Sequence, residues 1–337
     1  MMNDSTNVAR QQSRRSLLTL MSAGAMAGGL SMLTGCNDDV VGSEAVPTPT
    51  PTATPTPPVA YTPTDSDRMN FTLQLHYLLA AYLQMSLTGG SISVALTTGS
   101  GTAGQVSGGR KVTFGDGRVA AATREVAAAT TARITYLRRS VGNAVSAQPA
   151  INIAGGQGSP FQAIALPSTA TAPTTFFDPY ASDGDFLLGA VALFAVATSA
   201  ITNLASGYSA SLRGPMGALS ASVAAHDSVF RNALFTLAAR EAAVGTTGAT
   251  SLFSRANVMS DGRDQFDGPG DRDQGIGSGS VNNLQANIGV TDANYVAIRR
   301  TPEQALGVLY ANASVASSGA FFPAGMNGTI RTSGLNS

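Results

Sequence analysis

The chain of 337 residues contains two histidines, His76 and His226, and each lies in a long apolar stretch. A neutral imidazole binds transition metals, so the pair could supply the nitrogen ligands of a metal site. In both stretches the residues three and four positions away are largely apolar, so both imidazoles are expected to face the core of a helical protein. A desolvated histidine tends to be neutral. The two hypotheses are therefore metal ligands or polar contacts within the core.

Carboxylates are scarce in the four long apolar stretches of the chain, two of which carry the histidines. A transition-metal cation inside a low-dielectric core needs anionic oxygens to offset its charge. Three of the acids lie where a helix would begin or end, and Asp227 is adjacent to His226, so the two do not share a helix face. The apolar stretches contain only five acids: Asp67, Glu125, Asp185, Asp227 and Glu241. We therefore predict that the histidines are polar core contacts, with low-affinity binding of one soft or borderline metal as the alternative.

A second group of acids lies in the segment SDGRDQFDGPGDRD, which holds Asp261, Asp264, Asp267, Asp271 and Asp273. The density of carboxylates suggests calcium, but the spacing does not match the calcium loop of an EF-hand. Solvated turns are the preferred interpretation. The chain has no nucleophile elbow, phosphate-binding loop, dinucleotide fingerprint or zinc-protease motif.

Composition argues against nucleic acid as a partner. The formal net charge is zero, tryptophan is absent and aromatic residues make up 6% of the chain. No run of four Lys or Arg residues occurs, so neither phosphate attraction nor base stacking has a suitable surface.

The single cysteine, Cys36, has the context of a lipidation site. Arg14 and Arg15 precede a weakly apolar run, and LTGC follows that run. The run has the length of a signal-peptide core, and the arginine pair resembles a twin-arginine export signal. We predict a lipoprotein signal over 1–36 and a membrane anchor on Cys36, in the periplasm or at the cell surface on the outer membrane. The alternative is an ordinary secretory signal with an incidental cysteine.

Residues 37–64 form a linker. Between residues 46 and 64, proline alternates with threonine, and seven of the sixteen prolines of the chain lie there. Such a sequence buries no apolar surface and favours an extended polyproline II stalk, roughly 55 Å long.

Four long, alanine-rich helices are predicted over residues 65–242. Each is apolar around much of its circumference, which indicates packing on several sides. Asp65 or Ser66 is expected to cap the first helix, and Pro215 to lie in the first turn of the fourth. The predicted bounds are 66–88, 117–142, 185–207 and 215–242.

The connections are long. Within residues 88–116, SISVAL and KVTF could pair as a small β-hairpin, and residues 143–184 have the length of a crossover loop. Residues 243–337 are predicted to form an extension that packs on the bundle, with one short helix capped by Thr301. The fold class is all-α: a four-helix bundle with a crossover loop and a C-terminal helical extension.

These segments resemble one family. MNFTLQLHYLLAAYL, REVAAATTARITYLRR, FLLGAVALFAVATSA and ALSASVAAHDSVFR are similar to the four helices of the ferritin-like desiccation-related proteins. TDANYVAIRRTPEQALGVLY and SGAFFPAGMNGTI are similar to that family's C-terminal block. The resemblance covers residues 65–330 and implies a ferritin-like bundle.

The resemblance also implies where a di-iron centre would stand. Ferritin-like di-iron bundles use carboxylates from facing helices and two Glu-x-x-His pairs. Only one histidine of those pairs is retained, at His226, and no carboxylate is. The positions that correspond to the ligands hold His76, Thr130, Arg133, Phe194, Val223 and His226.

We therefore expect an exported, lipid-anchored ferritin-like protein that is not an enzyme, has no cofactor, and acts as a structural or binding protein of the cell envelope. Its expected partners are the membrane and either further copies of itself or another envelope protein. The alternative is an iron-storing or oxidase-like protein that binds iron or another transition metal at a rearranged site around His76 and His226. A small-anion site beside Arg133 also stays open.

Overall fold

The computed structural model describes residues 62–170 and 175–334. The export signal with Arg14 and Arg15, the lipidation site Cys36 and most of the proline-rich linker lie outside the described residues. Residues 62–64 are extended and lead directly into the first helix.

Four long helices form the bundle: α1 (Asp65–Thr88), α2 (Gly117–Val141), α4 (Asp183–Ala205) and α5 (Ala210–Ala243). Helix α1 packs along α2, and α4 packs along α5. The two pairs meet through α1 with α4 and through α2 with α5. The prediction of a mostly helical bundle is confirmed.

The two central helices, α1 and α4, are buried around most of their circumference. Among the described residues, α4 is the one helix long and apolar enough to cross a membrane, and 83% of its most apolar window is buried inside the fold. Burial to that extent is typical of the central helix of a soluble bundle. Tyr82 of α1 donates a hydrogen bond to the carbonyl of Phe186 (2.8 Å) and stacks on its ring, which fixes the two helices together.

Helix ends differ from the prediction in two places. Thr64, rather than Asp65 or Ser66, caps α1, because its hydroxyl accepts from the Asp67 amide while the Asp67 carboxylate accepts from the Thr64 amide (2.8 Å). Helix α5 begins at Ala210, so Pro215 lies inside it rather than in its first turn. The proline is tolerated there because it lies near the N-terminal end and on an exposed side.

The predicted hairpin between SISVAL and KVTF is wrong. Residues 94–96 form a single 3₁₀ turn, and KVTF forms no strand. Instead β1 (Val106–Ser107) pairs in parallel with β2 (Ile151–Asn152) from the crossover segment. The crossover also carries the short helix α3 (Pro160–Ala165), which packs on a later helix, α6 (Leu252–Asp264).

The chain beyond the bundle is more ordered than its composition indicates. Helix α6 (Leu252–Asp264) was not predicted, because its turns mix Asp, Gly and Asn with few apolar residues. An antiparallel hairpin follows, β3 (Gly277–Ser280) with β4 (Asn283–Ala286), and then α7 (Pro302–Tyr310). The predicted cap of α7 is present: Thr301 accepts from the Gln304 amide.

Candidate functional site

The four bundle helices each carry at least one position that the family resemblance assigns to a ligand. His76, Thr130, Phe194 and Val223 are fully buried, and Arg133 is 8% exposed. His226 is only half-buried, so its predicted inward orientation is partly wrong. Arg133 acts electrostatically on both histidines, which places these three residues in one polar cluster between α1, α2 and α5.

Arg133 makes the central contacts of that cluster. Its Nη2 donates to His226 Nδ1 (2.5 Å), to Ser222 Oγ (2.9 Å) and to the Ser222 carbonyl (3.2 Å). A guanidinium carries only donors, so the accepting Nδ1 must be unprotonated. Burial, followed by the Arg133 charge, lowers the pKa of His226, and burial lowers the pKa of Arg133 to about 10. The predicted hydrogen bond between a histidine and Arg133 is present.

His76 is held differently. Its Nδ1 donates to the Thr72 carbonyl (2.8 Å) one turn earlier on α1, so its Nε2 carries the lone pair. That Nε2 is buried and has no hydrogen-bond partner among the described residues; the same holds for Nη1 of Arg133. Burial lowers the pKa of His76 to about 4, and the Arg133 charge contributes to the shift. His76 is therefore a neutral imidazole at physiological pH.

The residues at these positions do not fit a di-iron centre. Thr130 donates its hydroxyl to the Val126 carbonyl (2.7 Å), and Phe194 packs edge-on against Phe230 with ring centroids 5.1 Å apart. Two imidazoles and one guanidinium remain, with no carboxylate among the six residues. A positive guanidinium repels a metal cation and withholds the Nδ1 of His226 from it.

The depressed pKa of His76 predicts a pH dependence of stability. Below pH 6.5 the unfolded chain binds a proton on this imidazole, while the folded chain does so only near pH 4, so the free energy of unfolding falls with falling pH. Relative to His76→Gln, the wild-type protein should lose about 3 kcal/mol between pH 6.5 and 4. Urea unfolding at several pH values measures the difference.

The comparison with His76→Gln is needed because protonation of buried carboxyls has the opposite effect on the free energy of unfolding as pH falls. Burial raises the pKa of Asp227 and of Asp267 to about 6, so these groups favour the folded state as pH falls. Their contribution is common to both proteins and cancels in the difference. His226→Gln is the matched control. Its pH dependence of unfolding free energy should differ less from that of the wild type than the pH dependence of His76→Gln does, because His226 is half-exposed. If the free energy of unfolding depends on pH equally in wild type and His76→Gln, the lowered pKa of His76 is contradicted.

The prediction that the aspartates between 261 and 273 form solvated turns is wrong for the buried members of the group, although Asp261 and Asp271 are exposed. Asp267 and Asp273 are buried, at 0% and 3% exposed. Arg300 bonds to Asp267 (2.7 Å) and to Asp273 (2.5 Å), and Arg263 bonds to Asp273 (2.8 Å). The sequence could not indicate this burial, because it depends on Arg300 from the segment before α7.

A cavity of about 610 Å³ lies between the crossover segment, α4 and α6. Its walls are mainly apolar, with Leu188, Met259 and Phe177 among them. The polar part is an ion pair of Arg255 with Asp185, and the Arg255 guanidinium also lies 5.9 Å from the centre of the Phe177 ring. The size is that of a small-molecule site. Sequence analysis did not find it, because its walls come from four separate segments.

The architecture and these buried positions define a helical-bundle protein whose central polar cluster lies between facing helices. A family model described as "Ferritin-like domain" matches residues 64–236, just over half of the chain. The chain therefore belongs to the ferritin-like domain family. No curated protein and no solved structure matches it.

Proposed function

We propose that this protein is a non-catalytic structural or binding member of the ferritin-like family, exported and anchored to the cell envelope by a lipid on Cys36. Within the family, the C-terminal segments TDANYVAIRRTPEQALGVLY and SGAFFPAGMNGTI favour the desiccation-related branch. The proline-rich linker would hold the bundle away from the membrane. Its partners would be the membrane and either further copies of the chain or another envelope protein.

The observation that carries this proposal is the bond between Arg133 and His226. In a bundle that holds two irons, both positions would present metal ligands, and carboxylates would surround them. Here a permanent positive charge occupies the middle of the cluster and bonds to the neighbouring imidazole. Both the positive charge of Arg133 and its bond to His226 favour polar core contacts over metal binding.

The cavity beside Arg255 supports a binding role for the protein. Apolar walls with a few polar groups are the usual lining of a small-molecule site. The Arg255–Asp185 pair offers both a donor and an acceptor there. A binding role for this cavity requires no residue of the polar cluster around Arg133.

One observation favours the alternative, a metal-binding protein with a rearranged site. The Nε2 of His76 is a buried lone pair without a donor among the described residues, which is the state of a metal-binding imidazole. His226 could add its Nε2, giving two nitrogens for iron or another transition metal. The nearby Arg133 charge opposes that arrangement.

Metal analysis separates the two functions. Protein purified without added metal should contain iron and manganese only at background level, and His226→Ala should not change the content. Asn232→Ala on the exposed side of α5 serves as the matched control. Iron or manganese at a stoichiometric level that is lost in His226→Ala and kept in Asn232→Ala would establish the alternative.

The lipid anchor is tested separately. In cells fed labelled palmitate, the wild-type chain should become labelled and sediment with the outer membrane, because acylation of Cys36 attaches it there. Cys36→Ser should lose both properties. Arg14→Lys with Arg15→Lys should instead leave the precursor in the cytoplasm if the twin-arginine route is used. An unlabelled wild-type chain, cleaved in the same way as Cys36→Ser, would show an ordinary secretory signal.

A further inference from the structure

Three carboxylates outside the bundle core converge at the end of α6. Asp264, Asp267 and Asp273 each bring a carboxylate oxygen to within 4.8 Å of the others, and they are the one such group of His, Cys, Asp or Glu that the described residues contain. Asp264 ends α6, and the other two lie in the loop that follows. The Oδ1 of Asp264 accepts from the amides of Arg272 and Asp273 (3.1 Å each), which folds the loop back over the helix end.

One oxygen of this cluster has no donor. Asp267 is fully buried, and its Oδ2 accepts from Nε of Arg300 (2.7 Å). Its Oδ1 is also buried and has no hydrogen-bond partner among the described residues. A buried carboxylate oxygen without a partner costs free energy, unless a ligand outside the chain satisfies it. The missing hydrogen-bond partner of this oxygen is an observation separate from the convergence of the three carboxylates. It indicates that the cluster holds a positively charged ligand.

We propose that Asp264, Asp267 and Asp273 form a calcium site that joins the end of α6 to the segment before α7. The ligands are all hard oxygens, which suit calcium rather than a transition metal. The three oxygens lie within 4.8 Å of one another, which allows them to contact one cation. Calcium tolerates the irregular geometry of a loop, whereas magnesium demands a near-ideal octahedron. This site is independent of the proposed function and of the cluster around Arg133.

Calcium binding here must coexist with three guanidiniums. Arg263 and Arg300 bond to Asp273 and Asp267 and repel an incoming cation. Arg272 donates to the carbonyls of Asp267 (3.2 Å) and Gly270 (3.5 Å) in the same loop. We therefore expect an affinity in the millimolar range, like that of extracellular calcium modules.

The test uses the full chain and measures its melting temperature (Tm) in calcium, magnesium and sodium chloride at equal ionic strength and fixed pH. Calcium at about 5 mM should raise the Tm by about 2 °C, and magnesium should raise it much less. Asp267→Asn should abolish the calcium response, because the amide keeps an acceptor for Arg300 but lacks the charge. Asp261→Asn, at an exposed position on α6, removes the same charge and should keep the response.

Titration calorimetry of the wild-type chain with calcium chloride gives a second measurement if Asp267→Asn does not fold. Saturable binding of calcium, weaker for magnesium, supports the proposal. Equal Tm shifts in all three salts, no saturable heat, or a calcium response that survives in Asp267→Asn would overturn it. In those cases a proton shared among the aspartates, rather than a metal ion, satisfies the buried oxygen.

Discussion

Replacing Arg300 with Met should destabilise the protein by about 4 kcal/mol, which is about 10 °C in Tm. Arg300 is 1% exposed and bonds to Asp267, Asp273 and Ser199 Oγ (2.9 Å). Methionine fills a similar volume but leaves Asp267 with no counter-charge in contact. The cost comes from that uncompensated buried carboxylate rather than from the lost packing. Urea unfolding followed by circular dichroism measures it.

Arg299→Met is the matched control for this prediction. Arg299 is exposed and adjacent to Arg300, so its replacement removes the same charge and should change the free energy of unfolding by less than about 0.5 kcal/mol. The double variant Arg300→Met with Asp267→Leu should recover part of the loss, because both members of the pair are then removed. A loss below about 1 kcal/mol for Arg300→Met would show that the ion pairs contribute no specific stability.

The second large effect is expected at Arg231, which holds the β3–β4 hairpin to α5. Its fully buried guanidinium donates to the carbonyls of Gln274, Gly275, Asn287 and Ile288, on both sides of the hairpin, with Gly275 at 2.6 Å. Arg231→Met removes all of these bonds and leaves four carbonyls to find other donors. We expect the local free energy of opening to fall by about 3 kcal/mol.

Hydrogen exchange measures this opening directly. A loss of about 3 kcal/mol corresponds to an increase in exchange rate of roughly 100-fold for the hairpin amides, such as that of Asn287, which bonds to the Ile276 carbonyl. Amides in α1 and α4 should keep their wild-type rates. Arg213→Met, an exposed change on the same helix, is the control. If the hairpin and the bundle accelerate equally, Arg231 stabilises the whole fold rather than the hairpin.

The sequence predicts the ends of α1 and α2 well because these helices carry their own stop signals. Gly89 adopts a left-handed conformation at the end of α1, and Gly142 follows α2, so the predicted bounds of these two helices agree with the structure within one residue. Helix α5, in contrast, begins five residues before its predicted start. The all-round apolarity of the third predicted helix indicated a central position, which α4 occupies. The predicted β-hairpin is wrong because β1 pairs with β2, which lies 45 positions away. A pairing of two residues at that separation leaves no local sequence pattern.

The polar clusters were only partly predictable. The resemblance placed Arg133 and His226 on facing helices, and the structure joins them across 93 positions. The burial of Asp267 and Asp273 could not be foreseen, because Arg300 reaches them from 33 and 27 positions away and only the tertiary fold brings it there. Aspartates among glycines are typical of solvated turns, but here Arg263 and Arg300 pair with Asp267 and Asp273 inside the fold.

We propose that the cluster around Arg133, between α1, α2 and α5, is a set of polar core contacts and not a metal centre. Anomalous diffraction at the iron edge, from crystals soaked anaerobically with Fe(II), tests it most directly. We predict no anomalous peak at bonding distance from His76 Nε2 or from His226, with Arg133 still bonded to His226. A peak bonded to both imidazoles, with Arg133 displaced from His226, would contradict the claim.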